Sequence, residues 1–113
     1  MSKKITIDIT ENVGVPADKD TLCYRIADPN MKVISDTEIS IKFDYPCDET
    51  IFTYKNPDGF TKIALLKCIW KGYDRIYKSS DKYGVWGHDL TDLMIEGIKY
   101  NPVKNEVTLD VGS

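Results

Sequence analysis

His88 is the only histidine in the chain, so any imidazole chemistry must pass through it. It stands next to Asp89 and close in sequence to Asp92, and a neighbouring carboxylate can orient an imidazole and stabilise its charged form. No nucleophile motif accompanies the group, so the expected role is a structural hydrogen bond at a loop or helix start. Cys23, Cys47, Cys68 and His88 would suffice in number for a zinc site. Zinc sites bring their ligands in close pairs such as C-x₂-C, and no two of these four residues are close in sequence. Buried, inert thiols are expected, with no metal and no cofactor. The turn from Asp44 to Glu49 gathers Asp44, Asp48 and Glu49, whose oxygens could hold a divalent cation. It lacks the regular oxygen spacing of an EF-hand and reads as a solvated acidic turn. Neither G-x-x-x-x-G-K-[ST] nor G-x-G-x-x-G occurs, so nucleotide phosphate binding has no support. The chain is not expected to be an enzyme.

Charge is distributed unevenly. Lys55, Lys62, Lys67, Lys71, Arg75, Lys78 and Lys82 face only Asp58, Asp74 and Asp81 across residues 55–82, while the whole chain carries a net charge of −3. Such asymmetry marks a candidate contact surface. Lys67, Lys71, Arg75, Lys78 and Lys82 follow one another in steps of three and four residues, so they share one helical face. A row of this kind can track phosphates, each cation releasing counterions. The net negative charge opposes DNA at long range and suits an acidic protein surface, or self-association with the acidic remainder, better. Trp86, in the loop Val85-Trp86-Gly87, is a further candidate anchor for a partner.

A helix must position that row. Ile63, Leu66, Trp70, Tyr73 and Tyr77 recur at helical spacing, widened by Ile69 and Ile76, and predict a helix over 61–78 with Thr61 as N-cap. Gly72 inside it implies either a bend or a close neighbour. Ser79 to Asp81 and Gly84 end the pattern, and Asp89 is placed to cap a short helix running to Leu93 or Met94. The clearest strand alternates Ile39, Ile41, Phe43 and Tyr45 with Glu38, Ser40, Lys42 and Asp44, until Pro46 stops it. Further strands are expected over 4–10, 21–26, 31–34 and 50–54. Asp28-Pro29-Asn30 and Asn56-Pro57-Asp58-Gly59 supply turns, and residues 11–20 a loop. Residues 95–100 and 106–111 form a terminal hairpin around the turn 101–105. This segregated order predicts an α+β fold, with a mostly antiparallel sheet carrying one main amphipathic helix on one face and a C-terminal β-hairpin.

At 113 residues, with 42% hydrophobic and 29% charged residues, the chain suits one domain spanning 1–113. Seven tyrosines against three phenylalanines suggest a thin core with wet edges, or an interface. No apolar run approaches a membrane span, and the alternation Ile5-Thr6-Ile7-Asp8-Ile9 is not that of a signal peptide. The odd cysteine count fits a reducing compartment, so an intracellular location without membrane contact is expected.

The segment Ile63-Ala64-Leu65-Leu66 through Tyr73 to Tyr77, then Tyr83-Gly84-Val85-Trp86-Gly87-His88-Asp89-Leu90 and the hairpin from Tyr100 to Val111, resembles small uncharacterised proteins of large nucleocytoplasmic DNA viruses of the marseillevirus kind. The resemblance covers about half the chain. It implies a viral protein acting in the host cytoplasm or carried in the virion, and it transfers no catalytic residue. The resulting expectation is a small, non-enzymatic interaction module that binds a protein partner or associates with itself. The alternative is a nucleic-acid-binding accessory protein using the basic face of helix 61–78.

Overall fold

The computed structural model describes residues 5–7, 13–14, 28–87 and 89–112. The expected strand at 21–26, Cys23, His88 and all of the expected loop at 11–20 except Val13 and Gly14 fall outside the described residues; those two residues form a short strand instead of loop, because they pair with Met94 and Ile95.

Strand alternation dictates most of the sheet. In β4 (Glu38–Phe43), Ile39, Ile41 and Phe43 are fully buried, whereas Glu38 is exposed and Ser40 and Lys42 are half-exposed. Strand β5 (Thr50–Lys55) pairs with β4 antiparallel over six successive positions without a register shift, from Glu38 opposite Lys55 to Phe43 opposite Thr50. The Asn56-Pro57-Asp58-Gly59 turn forms, with Gly59 at φ +77°, a backbone conformation that glycine adopts without strain. The hairpin of β7 (Met94–Asn101) and β8 (Glu106–Gly112) is antiparallel, with an irregularity between Ile95 and Gly97. The Asn101 side chain closes the hairpin turn by accepting hydrogen bonds from the Val103 and Lys104 backbone N–H groups.

The sheet runs β1–β7–β8–β4–β5, where β1 is Ile5–Ile7. A two-residue β2 (Val13–Gly14) pairs with the other end of β7. One contact departs from the antiparallel rule: β4 and β8 are parallel, Ile41 opposite Val107. A separate two-stranded ladder joins β3 (Lys32–Ile34) to β6 (Phe60–Thr61) at the helix entrance.

Helix α1 (Lys62–Lys78) starts where expected, with Thr61 Oγ1 accepting from the Ala64 N–H at 3.1 Å. Its apolar stripe packs on one face of the sheet, with the centre rotated from the expected line. Leu65, Leu66, Ile69, Trp70, Tyr73 and Ile76 are buried; Ile63 and Tyr77 lie half-buried at one border. Gly72 explains the rotation. A Cβ there would come within 2.1 Å of Phe43 Cζ, so the helix backbone rests on the Phe43 ring and lies close to the sheet at that point. The Tyr73 ring meets Phe43 edge-on at 5.0 Å, and its hydroxyl donates to the Tyr45 carbonyl at 2.8 Å.

A short second helix, α2 (Ser80–Tyr83), follows at once and ends at Gly84 in the left-handed conformation. It occupies residues where the regular helical pattern was expected to stop. Asp89 does precede a helical turn, Leu90–Asp92, but its side chain makes no capping hydrogen bond. The opposite face of the sheet carries polar residues such as Thr6, Lys42, Thr53, Lys99 and Thr108, as alternation requires. No helix among the described residues is long and apolar enough to cross a membrane.

Candidate interaction surface

Lys67, Lys71, Arg75, Lys78 and Lys82 are all exposed, the first four along α1 and the last on α2. The placement of the first four on one flank follows from the helical spacing, whereas Lys82 lies beyond the break at Ser79. Arg75 and Lys78 in the last turn also complement the helix dipole. Among the described residues, the row's one ion pair joins Lys78 Nζ to Asp74 at 2.9 Å, one helical turn apart and largely exposed. Such a pair contributes about 0.3–0.5 kcal/mol and leaves the charge row wet.

The row meets strand β5 at Arg75. The Arg75 guanidinium sits 4.4 Å from the centre of the Phe52 ring in β5. Phe52 meets Tyr83 at 5.9 Å, and Lys82 Nζ lies 5.4 Å from the Tyr83 ring. Cation and aromatic therefore alternate from Arg75 through Phe52 and Tyr83 to Lys82. A cation over a ring face gains about 0.5–1 kcal/mol where solvent is present. Tyr54, two residues beyond Phe52 and on the same face, belongs to this flank as well. Burial pushes its hydroxyl up to about 12; the Cys68 thiol adds to that shift and the Arg75 charge opposes it. Cys68 and Arg75 thus both act on Tyr54 of β5.

Trp86 is 55% exposed. It meets the Tyr45 ring edge-on at 5.4 Å, and its backbone N–H donates to the Pro46 carbonyl at 3.0 Å. The acidic turn lies beside it. The Asp48 N–H donates to the Tyr83 carbonyl at 2.8 Å, and the Asp48 carboxylate occupies the space a side chain at Gly84 would need. Glu49 pairs with Lys42 at 2.9 Å. The fold therefore brings the Lys82 end of the row, Trp86 and the acidic turn to one end of the molecule. The spacing of sequence motifs carries no signal for that convergence, because it depends on how β4 meets α2.

The chemical candidates fare differently. Burial raises the Cys47 thiol, with Asp44 and Asp48 adding to the effect. Burial also raises the Cys68 thiol, opposed by Lys71. Both shifts deplete the thiolate, the reverse of what a nucleophilic cysteine requires. Among the described residues no group of three or more His, Cys, Asp or Glu is arranged to hold a metal ion. Asp89 and Asp92 line an open groove of about 450 Å³ with Tyr77, Ser80, Val85 and Gly87. Burial raises the Tyr77 hydroxyl, and the charges of Cys47, Asp89, Asp92 and Tyr45 add to it. A phenol held neutral beside two carboxylates is a hydrogen-bond donor, not a base.

Tyr100 forms a polar cluster that motif spacing did not single out. Its hydroxyl donates to Asp36 and lies 3.2 Å from Asn105 Oδ1. Burial first, then Asp36, raises its pKa. The cluster ties the β3–β4 loop to the hairpin turn and reads as a structural clasp.

No protein-family model, curated protein or solved structure matches this chain.

Proposed function

We propose that this chain is a small, non-enzymatic interaction module that binds an acidic protein partner through the exposed row Lys67, Lys71, Arg75, Lys78 and Lys82, with Trp86 as an outlying anchor. The observation that carries this reading is the row itself: five exposed cations on one flank of a chain whose net charge is −3. The raised thiol pKa values of Cys47 and Cys68 support a role without covalent chemistry. The resemblance of the C-terminal half to small proteins of large DNA viruses supports a viral setting, in the virion or in the infected cell.

Nucleic acid is the second reading, favoured by the same row of cations together with an exposed tryptophan able to stack on a base. Self-association of the row with the acidic remainder is the third. One charge reversal separates them. Lys67→Glu with Lys71→Glu changes two exposed side chains and spares Arg75, which rests on Phe52. Binding to immobilised poly-glutamate and to duplex DNA is measured alongside light scattering on a sizing column at two salt concentrations. The proposed reading expects retention on poly-glutamate that the reversal abolishes, with the protein monomeric throughout. DNA affinity falling steeply with salt, by about 0.9 in log-log slope per phosphate contact, would establish the second reading. A salt-sensitive dimer lost on reversal would establish the third. A row that affects none of these is solvated surface, and the proposal fails.

A further inference from the structure

The two edges of the main sheet differ. The β7 edge is covered by β1 along Ile98–Tyr100 and by β2 at Met94 and Ile95. Strand β5 is the other terminal strand, and among the described residues no strand pairs with its outer side. Exposed edges invite added strands, and proteins blunt them with bulges, prolines or very short strands. Apart from the exposed Lys55 at its end, β5 carries no such device: it is six residues long, free of proline and pairs in unbroken register. The Asn56 N–H donates to the Thr37 carbonyl, which fixes the phase of the ladder. Antiparallel pairs alternate between bonded and non-bonded, so Phe52 and Tyr54 direct their N–H and C=O groups to β4. Ile51, Thr53 and Lys55 direct theirs outward.

The two sides of this edge present different chemistry. On the helix side, Arg75 lies over Phe52 and influences Tyr54, and Lys71, one helical turn before Arg75, is exposed. On the opposite side, Ile51 is 50% exposed. We infer that the β5 edge is a docking site for an extended acidic segment of a partner protein, added as a further strand, with acidic side chains under Arg75 and Lys71 and apolar side chains beside Ile51. This inference rests on the proposed reading of the basic row and gives it a geometry.

An added strand would lie about 4.8 Å outside β5, with successive side chains on opposite faces. The side chains facing the helix fall under the cationic shoulder. Arg75, exposed and 4.4 Å from the Phe52 ring centre, is placed to offer guanidinium N–H groups to a carboxylate. Main-chain hydrogen bonds to Ile51, Thr53 and Lys55 supply sequence-independent affinity, and alternation of side chains supplies selectivity. A second copy of this chain is disfavoured as the occupant. Antiparallel pairing of two β5 edges about an axis normal to the sheet puts both helices on the same face, so both cationic shoulders face each other across the junction.

The test uses a fluorescent peptide alternating Glu and Val over seven residues, against one alternating Lys and Val. Thr53→Pro removes an outward N–H and suits an edge strand, where proline is tolerated. Unchanged helical circular dichroism confirms that this variant folds. If it does not fold, the Glu-Val peptide carrying N-methyl groups on alternate residues removes the same hydrogen bonds from the ligand side. We expect the full chain to bind the Glu-Val peptide and not the Lys-Val peptide. Either backbone change should weaken binding by about tenfold or more, and Lys71→Glu by a smaller, salt-dependent factor. Binding of the Glu-Val peptide that survives both backbone changes but is lost in Lys67→Glu with Lys71→Glu overturns the edge and leaves the basic row standing. Absence of binding to any acidic probe overturns both. A dimer abolished by Thr53→Pro overturns the choice of occupant.

Discussion

Helix α1 has two flanks of opposite character built from the same turns. On one, Leu65, Leu66, Ile69, Tyr73 and Ile76 are sealed against the sheet, and Gly72 rests on Phe43. On the other, Lys67, Lys71 and Lys78 are exposed, and Arg75 is seated on the Phe52 ring. Stability belongs to the first flank, because burial of apolar surface scales with the area removed from water. Charge belongs to the second, where solvent screening makes each cation cheap to keep and cheap to change. A protein with this division can vary its charged flank without endangering its fold.

The largest expected effect is at the sealed flank. Leu66→Ala removes a fully buried side chain and should cost about 2–5 kcal/mol in denaturant melts. A loss below about 0.5 kcal/mol would mean that the core is not where this structure puts it.

Gly72→Ala sharpens the contrast by sign. On an exposed helix the change would stabilise by about 1 kcal/mol. Here the new methyl group meets Phe43 at 2.1 Å, so the ring or the helix must shift. A net loss of about 1–3 kcal/mol is expected from overpacking. Thermal melting of Gly72→Ala beside Lys71→Ala checks this, and stabilisation by Gly72→Ala would break the close helix–sheet approach.

The smallest effect is at the wet flank. Lys67→Glu with Lys71→Glu should move stability by less than about 0.5 kcal/mol while reversing two charges. A larger change in the same melts would show that the flanks are not energetically separate.

How much of this was legible beforehand varies element by element. The β4 strand, the capped start of α1 and the terminal hairpin were readable because alternation, a Thr N-cap and a turn-rich break act over a few residues. The centre of the helix stripe was not. Periodicity places Ile63 and Tyr77 on the apolar side equally with Leu66, and the Phe43–Gly72 contact decides which residues go deepest. The second helix at Ser80–Tyr83 escapes local reading because Ser79, Ser80 and Asp81 also suit a turn.

By itself the sequence determined the α+β class, the amphipathic division of α1 and the exposure of its lysine row, since each follows from local periodicity. Tertiary structure alone decided that β4 and β8 pair in parallel and that β5 is the terminal strand among the described residues. It also decided that the cationic shoulder stands above β5 rather than above β1. Those outcomes depend on pairings between residues far apart in the chain, such as Ile41 with Val107, and on the depth of one glycine against one aromatic ring. No local pattern encodes them, because the free energy that selects them is released only when the whole sheet closes under the helix.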